Sequence, residues 1–463
     1  MQTVEQYDDI IFGGGKGGKS LALALAPSGR KVALIERSMI GGTCINVACI
    51  PTKSMVASSK LISEAKQASL DGFKIKVEEP NLESVIKRKR EVVDSMVKTH
   101  WDLFTHTKDL DFFYGSGRFV GARIIEVTLN DGTVRQITAK RIFINSGSRP
   151  LIPKTPGLSE TGYLTSTSVM ELESLPTHLA ILGGGYIALE FAQIFRRLGS
   201  RVTLIERSDK FLPREDEDIA QAIKEILQAE GIEISFNTGV ESVSKKGQST
   251  IIHAQINGEK QEIDCSHLLV ATGRLPNTDE LGLDLAGVKL DERGYIQVNE
   301  KLETSAPDIW AIGDCKGGPF FTHLSWDDYR ILRDNLIFGE NRVTTGRLIP
   351  YTLFIDPELG RVGLTEAEAL SKGFEIAVAK LPAAKVPRAN TAGATKGLLK
   401  AVVDIKTKQI LGCSILANEA GEIIAAVQIA MLTKMPYTEL RNVIFTHPTM
   451  CESLNLLFAA LPH

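Results

Sequence analysis

Two stretches of this chain, opening at Gly13 and Gly183 and so 170 residues apart, are built to one plan. In the first, Asp8–Phe12 reads as a short strand running into Gly13-Gly14-Gly15-Lys16-Gly17-Gly18. A helical stretch follows at Ser20–Ala26, and the apolar strand Lys31–Ile35 ends in Glu36. In the second, Ala180–Leu182 leads into Gly183-Gly184-Gly185-Tyr186-Ile187-Ala188, a helix continues to Leu198, and Arg201–Ile205 ends in Glu206. Gly29 aligns with Gly199, and Ile35-Glu36-Arg37-Ser38 with Ile205-Glu206-Arg207-Ser208. A glycine turn between a buried strand and a helix presents free backbone N–H groups and the positive end of the helix dipole to a phosphate. An acid ending the second strand accepts a ribose 2′-hydroxyl. One glycine-rich match is weak evidence, but two at identical internal spacing are strong. The expected fold class is α/β, with two Rossmann-like dinucleotide-binding domains.

The first turn also fits a competing template. Gly13-x-x-x-x-Gly18-Lys19-Ser20 satisfies the P-loop pattern. The second copy keeps the spacing but carries Leu189-Glu190 where Lys19-Ser20 stood, so the lysine and hydroxyl are not part of the repeated device. Glu36, 23 residues after Gly13, decides for the dinucleotide reading. Charge balance narrows the partners: 53 basic against 56 acidic residues is too even to make nucleic acid or anionic lipid a default partner. No apolar run reaches the ~18 residues of a membrane span. Met1–Asp9 is polar and acidic, without a secretory pattern. A cytoplasmic protein is expected.

Breakers set the boundaries. Pro150, Pro153 and Pro156 follow Ser146-Gly147-Ser148, and Ala271-Thr272-Gly273-Arg274 closes the second unit after a strand at Leu268–Ala271. Asp308–Ile312 reads as a buried strand entering Gly313-Asp314. From about Pro350 the pattern becomes short strands (Leu399–Val403, Ile410–Leu416) and a helix at Glu422–Thr433, an α+β domain. The expected domains are 1–150, 151–272, 273–347 (returning to the first) and 348–463. Ser59–His106 reads as helical, and its Lys87-Arg88-Lys89-Arg90 tetrad as a solvated helix turn flanked by Glu83 and Glu91, without a function.

Six cysteines, at 44, 49, 265, 315, 413 and 451, are too sparse for a secreted disulfide scaffold. Cys44 and Cys49 stand five apart. In a continuous helix, residues five apart diverge by about 140°, too far to bridge. Placing Cys44 before the helix and Cys49 in its first turn permits a disulfide and stabilises thiolates there by the helix dipole. Two unrelated buried cysteines, or half a zinc site, are the alternatives. No second cysteine pair or paired histidines complete a zinc site, so no metal is expected and a redox disulfide is preferred.

The segment Gly41–Lys53 (GGTCINVACIPTK), between the two glycine-rich units, resembles the flavin-dependent pyridine nucleotide–disulfide oxidoreductases. ATGRLPN (271–277), TSAPDIWAIGD (304–314) and THPTMCE (446–452) follow in that family's order, so the resemblance covers essentially the whole chain. It implies an FAD domain, an NAD(P) domain and a C-terminal α+β dimerisation domain, with FAD and NADH or NADPH as cofactors. Gly13, Gly15, Gly18 and Glu36 would hold the adenosine diphosphate half of FAD, and Asp314 its ribityl chain. Thr43, Gly147 and Gly273 join the cofactor-binding set, as do Gly183, Gly185, Ala188, Glu206 and Arg207. Cys49 is implied as the charge-transfer thiol against the flavin and Cys44 as the interchange thiol that meets substrate. Lys53 is implied near flavin N5, paired with Glu190, and Tyr186 as the ring gating the nicotinamide pocket. His447 and Glu452 would form an acid–base dyad reaching the disulfide from the partner subunit of a homodimer, with His447–Pro448 cis. The chemistry suits these types: histidine protonates a leaving thiolate near neutral pH, and a carboxylate on its other nitrogen fixes the tautomer.

Ala48 departs from the glycine most relatives carry before the second cysteine, and Cys451 is either a small buried helix residue or a third thiol. Mercuric reductases typically carry a C-terminal cysteine pair and often an N-terminal metal-binding domain. Ser453–His463 has no cysteine, and Met1–Phe12 leaves no room for a domain. The substrate-binding arginines of glutathione reductase are not identifiable. Gly15-Lys16-x-Gly18-Lys19, FLPREDEDIA (211–220), THLSWDDYRILRD (322–334), PAAKVPRA (382–389) and IFTHPTMCESLNLLF (444–458) are similar to the bacterial reactive-chlorine-resistance branch, the hypothiocyanous acid reductases. The implied substrate is a small oxidant such as hypothiocyanous acid (HOSCN). The alternatives are Cu(II) or Hg(II), a lipoamide or glutathione disulfide, or a non-catalytic NAD-responsive sensor. The intact set Cys44, Cys49, Lys53, His447 and Glu452 argues against the sensor. Glu206 favours NADH by repelling a 2′-phosphate, although Arg207 and Ala188 are features also found with NADPH.

Overall fold

All five residues of Val32–Glu36 (β2) are buried, as an unbroken apolar run should be when both faces of a parallel strand are covered. It lies parallel to Glu5–Phe12 (β1), with Asp9 opposite Val32. Between them Lys16–Leu25 (α1) buries Leu21, Ala22 and Leu25 at helical spacing against the sheet. In the computed structural model, which describes residues 4–68, 72 and 80–461, these elements belong to the first of two compact units: Met1–Ser54, Ser84–Leu151 and Gly273–Arg347. Leu110–Phe119 (β3) pairs in parallel with β2, and turns antiparallel through Ile124–Leu129 (β4) into Val134–Ile144 (β5). β5 returns in parallel to β1 and takes Ile309–Ala311 on its far side. The doubly covered sheet thus runs β3-β2-β1-β5 and then 309–311, and it is the strand ends after β1 and β5 that position the first glycine turn.

The second unit comprises Met55–Glu83, Ile152–Thr272 and Leu348–His463. Its parallel sheet has the order 267–270, 178–182, 201–205, 233–235, with Tyr186–Leu198 (α5) crossing from the second to the third. A three-stranded antiparallel sheet (238–246, 249–256, 259–265) follows. A five-stranded antiparallel sheet, in the order 351–353, 358–363, 410–417, 398–404, 376–382, packs on the helix Ala420–Leu432.

Cys49 opens the helix Cys49–Ala68 (α3) and Cys44 precedes it, as the spacing predicts; Cys44 in addition lies within a short helix of its own, Thr43–Val47 (α2). Ala48 breaks them at φ −138° and ψ −106°. The helical reading of Ser59–His106 is two helices, α3 and Leu82–His106 (α4), and its residues 69–71 and 73–79 lie outside the described residues. The basic tetrad is a turn of α4 with Lys87, Arg88 and Arg90 exposed, as expected, but Lys89 is buried, and Arg88 donates to the carbonyl and hydroxyl oxygens of Ser54 at 2.9 and 3.1 Å. Among the described residues no helix is long and apolar enough to cross a membrane.

Candidate active site

The first glycine turn is packed so tightly that its glycines are steric necessities. Gly13 takes φ +93°, and a Cβ there would lie 2.3 Å from the Asn145 carbonyl. One on Gly18 would lie 2.1 Å from Gly13 O. Glu36 closes the turn from below: Oε2 accepts from Gly14 N–H at 2.8 Å, and Oε1 from Ser38 and Met39 N–H at 3.0 Å each. The expected ribose acid therefore also holds the loop it serves. Gly42, just before Thr43 and Cys44, packs its backbone directly on Gly15, where a Cβ would come within 2.4 Å of Gly15 Cα. The same turn thus seats the cysteine segment against the start of α1.

The two cysteines are free thiols held together. Their hydrogen bond, followed by burial, raises the Cys44 pKa far above the ordinary thiol range, so Cys44 keeps its proton while Cys49 accepts. The Thr322 hydroxyl, at the start of the helix Thr322–Ile337, lies 3.4 Å from Cys49 Sγ and opposes that rise. Sequence reasoning missed Thr322, whose only signal was its place in the THLSWDDY segment. Asp314 lies in a 3₁₀ turn and accepts from Ser148 Oγ at 2.5 Å, with Arg274 Nε 4.0 Å away. Arg274 is lowered by burial and feels the charges of both Asp314 and Cys49. Lys53 is half-buried in the second turn of α3. Gly147 (φ +72°) and Gly273 (φ +136°) take conformations that favour glycine, and a Cβ on Gly147 would meet no protein atom.

In the second unit, Gly183 (φ +111°) is wedged against Ala271 O, where a Cβ would come to 2.5 Å. Gly185 differs: at φ −81°, and with nothing within 4 Å of where a Cβ would sit, it is required neither by its backbone nor by packing. A ligand approaching the backbone gives the reason, and this open turn at the N-terminus of α5 fits a dinucleotide pyrophosphate. Ala188 is fully buried, so this copy tolerates the methyl that Gly18 could not carry. Glu206 is half-buried and accepts from Ser208 N–H at 2.8 Å, while Arg207 is exposed. Glu190 is buried and accepts from Phe354 N–H at 3.0 Å. The Tyr186 hydroxyl donates to Glu215, which also accepts from Tyr351 at 2.6 Å and pairs with Arg361 at 3.2 Å. Neither Glu215 nor Arg361 was singled out as a site residue from the sequence, although Glu215 lies in FLPREDEDIA.

The dyad forms as expected. His447 Nδ1 is 2.7 Å from Glu452 Oε2, and the His447–Pro448 bond is cis. A carboxylate can only accept, so Nδ1 carries the proton and Nε2 is left as an acceptor on a side chain that is 70% exposed. Cys451 is half-buried, with its thiol raised chiefly by burial. Among the described residues no group of three or more His, Cys, Asp or Glu gathers as metal ligands.

The family model of the pyridine nucleotide-disulphide oxidoreductases matches residues 7–328, and that of their dimerisation domain matches 349–457. The chain belongs to the pyridine nucleotide-disulphide oxidoreductase family. Its members use FAD and NAD(P)H, and the two glycine turns described above fit those dinucleotides. Within the family it is 41% identical over 460 residues to the probable pyridine nucleotide-disulfide oxidoreductase RclA of Escherichia coli, covering 98% of this chain and 99% of RclA. It is 36% identical over 450 residues to a mercuric reductase of Bacillus cereus, covering 97% and 70%. The solved Cu(II) complex of HOCl-induced flavoprotein disulfide reductase RclA superposes with a TM-score of 0.91 at 40% identity, over 98% of this chain and 99% of that one. The chain is a flavoprotein pyridine nucleotide–disulfide oxidoreductase.

Proposed function

We propose that this oxidoreductase uses its Cys44–Cys49 dithiol to reduce hypothiocyanous acid. The observation that carries the reading is the half-buried thiol pair itself, with Cys44 hydrogen-bonded to Cys49 beside Thr322, in a chain similar end to end to an HOCl-induced reductase. Cys44, once deprotonated, attacks the sulfur of HOSCN. Hydroxide leaves and takes a proton to become water, and Cys44 carries a sulfenyl thiocyanate. The Cys49 thiolate then attacks the Cys44 sulfur. The new S–S bond forms as thiocyanate departs with the electron pair, so two thiols are oxidised and one HOSCN is reduced. FAD, when bound, supplies the two-electron relay from the nicotinamide to the resulting disulfide. Gly13, Gly15, Gly18, Glu36, Thr43, Gly147, Gly273, Asp314 and Lys53 would hold it. Gly183, Gly185, Ala188, Glu206 and Arg207 would hold NADH, with Tyr186 as the ring at the nicotinamide.

His447 of the partner subunit would take the Cys44 proton at Nε2 and return it, its tautomer set by the Glu452 carboxylate. The dimerisation domain supports a homodimer, as do large apolar side chains left open on this unit: Ile444 is 97% exposed, Leu432 62% and Ile429 61%. A cytoplasmic location belongs to the same reading. Cu(II) is the second reading, favoured by the copper complex of RclA. The deciding assay follows NADH and NADPH oxidation with HOSCN, Cu(II), Hg(II), glutathione disulfide and lipoamide side by side. The highest kcat/KM is expected with HOSCN, and with NADH over NADPH. A preference for lipoamide or glutathione disulfide overturns the substrate assignment.

A further inference from the structure

The lysine that mimics a P-loop is not available to a phosphate. Lys19 is buried, 6% exposed, and its Nζ lies 2.5 Å from His100 Nε2. His100 Nδ1 is 2.7 Å from Met96 O on the same helix. A carbonyl only accepts, so Nδ1 carries the imidazole proton and Nε2 is left as an acceptor. Burial and the charge of Lys19 both lower the His100 pKa, which keeps the ring neutral in that tautomer. The hydrogen bond therefore runs from the Lys19 ammonium to His100, and among the described residues no carboxylate forms an ion pair with this cation.

What this cation faces follows from the packing of the cysteine loop. Gly42 rests on Gly15 and Gly41 on the His100 ring, where a Cβ on each would come within 2.4 and 3.2 Å, so the loop is clamped between the start of α1 and α4. Cys44 lies two residues beyond this clamp, and Lys19 one turn beyond Gly15. The Lys19 and Cys44 charges act on each other from both sides: the lysine lowers the thiol's pKa and the thiolate raises the lysine's. Cys49, burial and Thr322 also act on Cys44, and burial and Lys16 on Lys19. Burial dominates and brings Lys19 down to about 8, so it remains largely protonated at neutral pH.

We propose that Lys19, fixed by His100, is a positioning residue whose ammonium is the counter-charge for the Cys44 thiolate and for the anion released there. Cys44 has two influences holding its proton, Cys49 and burial, and reaction requires that proton to leave. A buried cation at a fixed place lowers the cost of the thiolate without competing for it as a nucleophile. The same charge favours substrates that depart from Cys44 as small anions, which deepens the oxidant assignment by naming its leaving-group class. The inference rests on Cys44 being the substrate-facing thiol.

Alkylation of the NADH-reduced holoenzyme tests it without any oxidant substrate. Cys44 modification is followed by mass spectrometry with neutral iodoacetamide and anionic iodoacetate in wild type, Lys19→Met and Lys19→Arg, each checked for bound flavin. Lys19→Met is expected to slow iodoacetamide at pH 7 about tenfold, one pKa unit of thiolate population. It is also expected to lower the iodoacetate-to-iodoacetamide rate ratio severalfold, and Lys19→Arg should restore both. If Lys19→Met does not load flavin, Lys19→Gln is read in its place. No slowing, or equal slowing by the two reagents with an unchanged ratio, overturns the proposal and leaves the HOSCN assignment standing or falling on its own assay.

Discussion

At the scale of single residues, the two glycine turns share a template but not a tolerance. A methyl on Gly18 would sit 2.1 Å from a backbone oxygen, with Asn145 and Ile11 closing the other sides, whereas Ala188 carries its methyl fully buried. Backbone cannot yield as a flexible side chain can, so Gly18→Ala is expected to abolish FAD loading, read from the flavin absorbance of the purified protein. Ala188→Gly is expected to retain flavin and to lower thermal stability by only about 1 kcal/mol, the helix-propensity cost of glycine. Equal flavin content in both variants would contradict this. Motifs of this kind were legible because the chemistry is contiguous: Gly13 to Gly18, Cys44 to Cys49 and His447 to Glu452 each span a few residues. The partners Lys19–His100 and Cys49–Thr322 were not, because 81 and 273 residues separate them and only the fold brings them together. Lys19 was visible solely as an odd letter in a glycine turn, and nothing in the local pattern said that it pairs with His100.

At the scale of elements, strand centres were read well and ends poorly. Arg201–Ile205 falls where its apolar run places it, while Ala180–Leu182 extends back to His178 because pairing with 201–205 continues past the apolar stretch. At the cysteine segment the pattern placed Cys49 in the first turn of a helix, but could not show that Cys44 has a short helix of its own, α2, divided from α3 at Ala48. Neither could it show how α5 is tied to the antiparallel sheet of its own unit. Tyr186 at the start of α5 and Tyr351 on its strand both donate to Glu215, whose side chain is fully buried against Arg361. Burial and the Glu215 charge raise both phenols, so they stay donors through the working pH range. Glu215→Ala leaves the buried Arg361 guanidinium with Glu368 alone as an ion partner among the described residues and is expected to cost about 3–5 kcal/mol, whereas Tyr351→Phe removes the neutral hydroxyl that bridges Glu215 and Arg361 and should cost about 1–2 kcal/mol. Denaturant midpoints read the difference, and similar midpoints for the two variants would show that the cluster is not held by its buried charge.

For the whole molecule, the question is which chain supplies the acid–base group. His447 is 70% exposed beside Ile444, which is 97% exposed, and both lie in the segment matched by the dimerisation domain. On the reading proposed above, this imidazole, with its tautomer fixed by Glu452, serves the cysteines of the other subunit. If each site takes its cysteines from one subunit and its histidine from the other, Cys44→Ser and His447→Gln homodimers are both inactive. In a mixed dimer, one site combines the two lesions and the other has neither. Random 1:1 reassociation after mild denaturation makes half the dimers mixed, each with one working site, so about a quarter of wild-type NADH-dependent reductase activity should return. Recovery is expected to depend on mixing before reassociation and to be absent when the refolded homodimers are combined. Should no activity return although mixed dimers are demonstrated by mass, the dyad serves its own chain's cysteines and the homodimer is not a catalytic requirement.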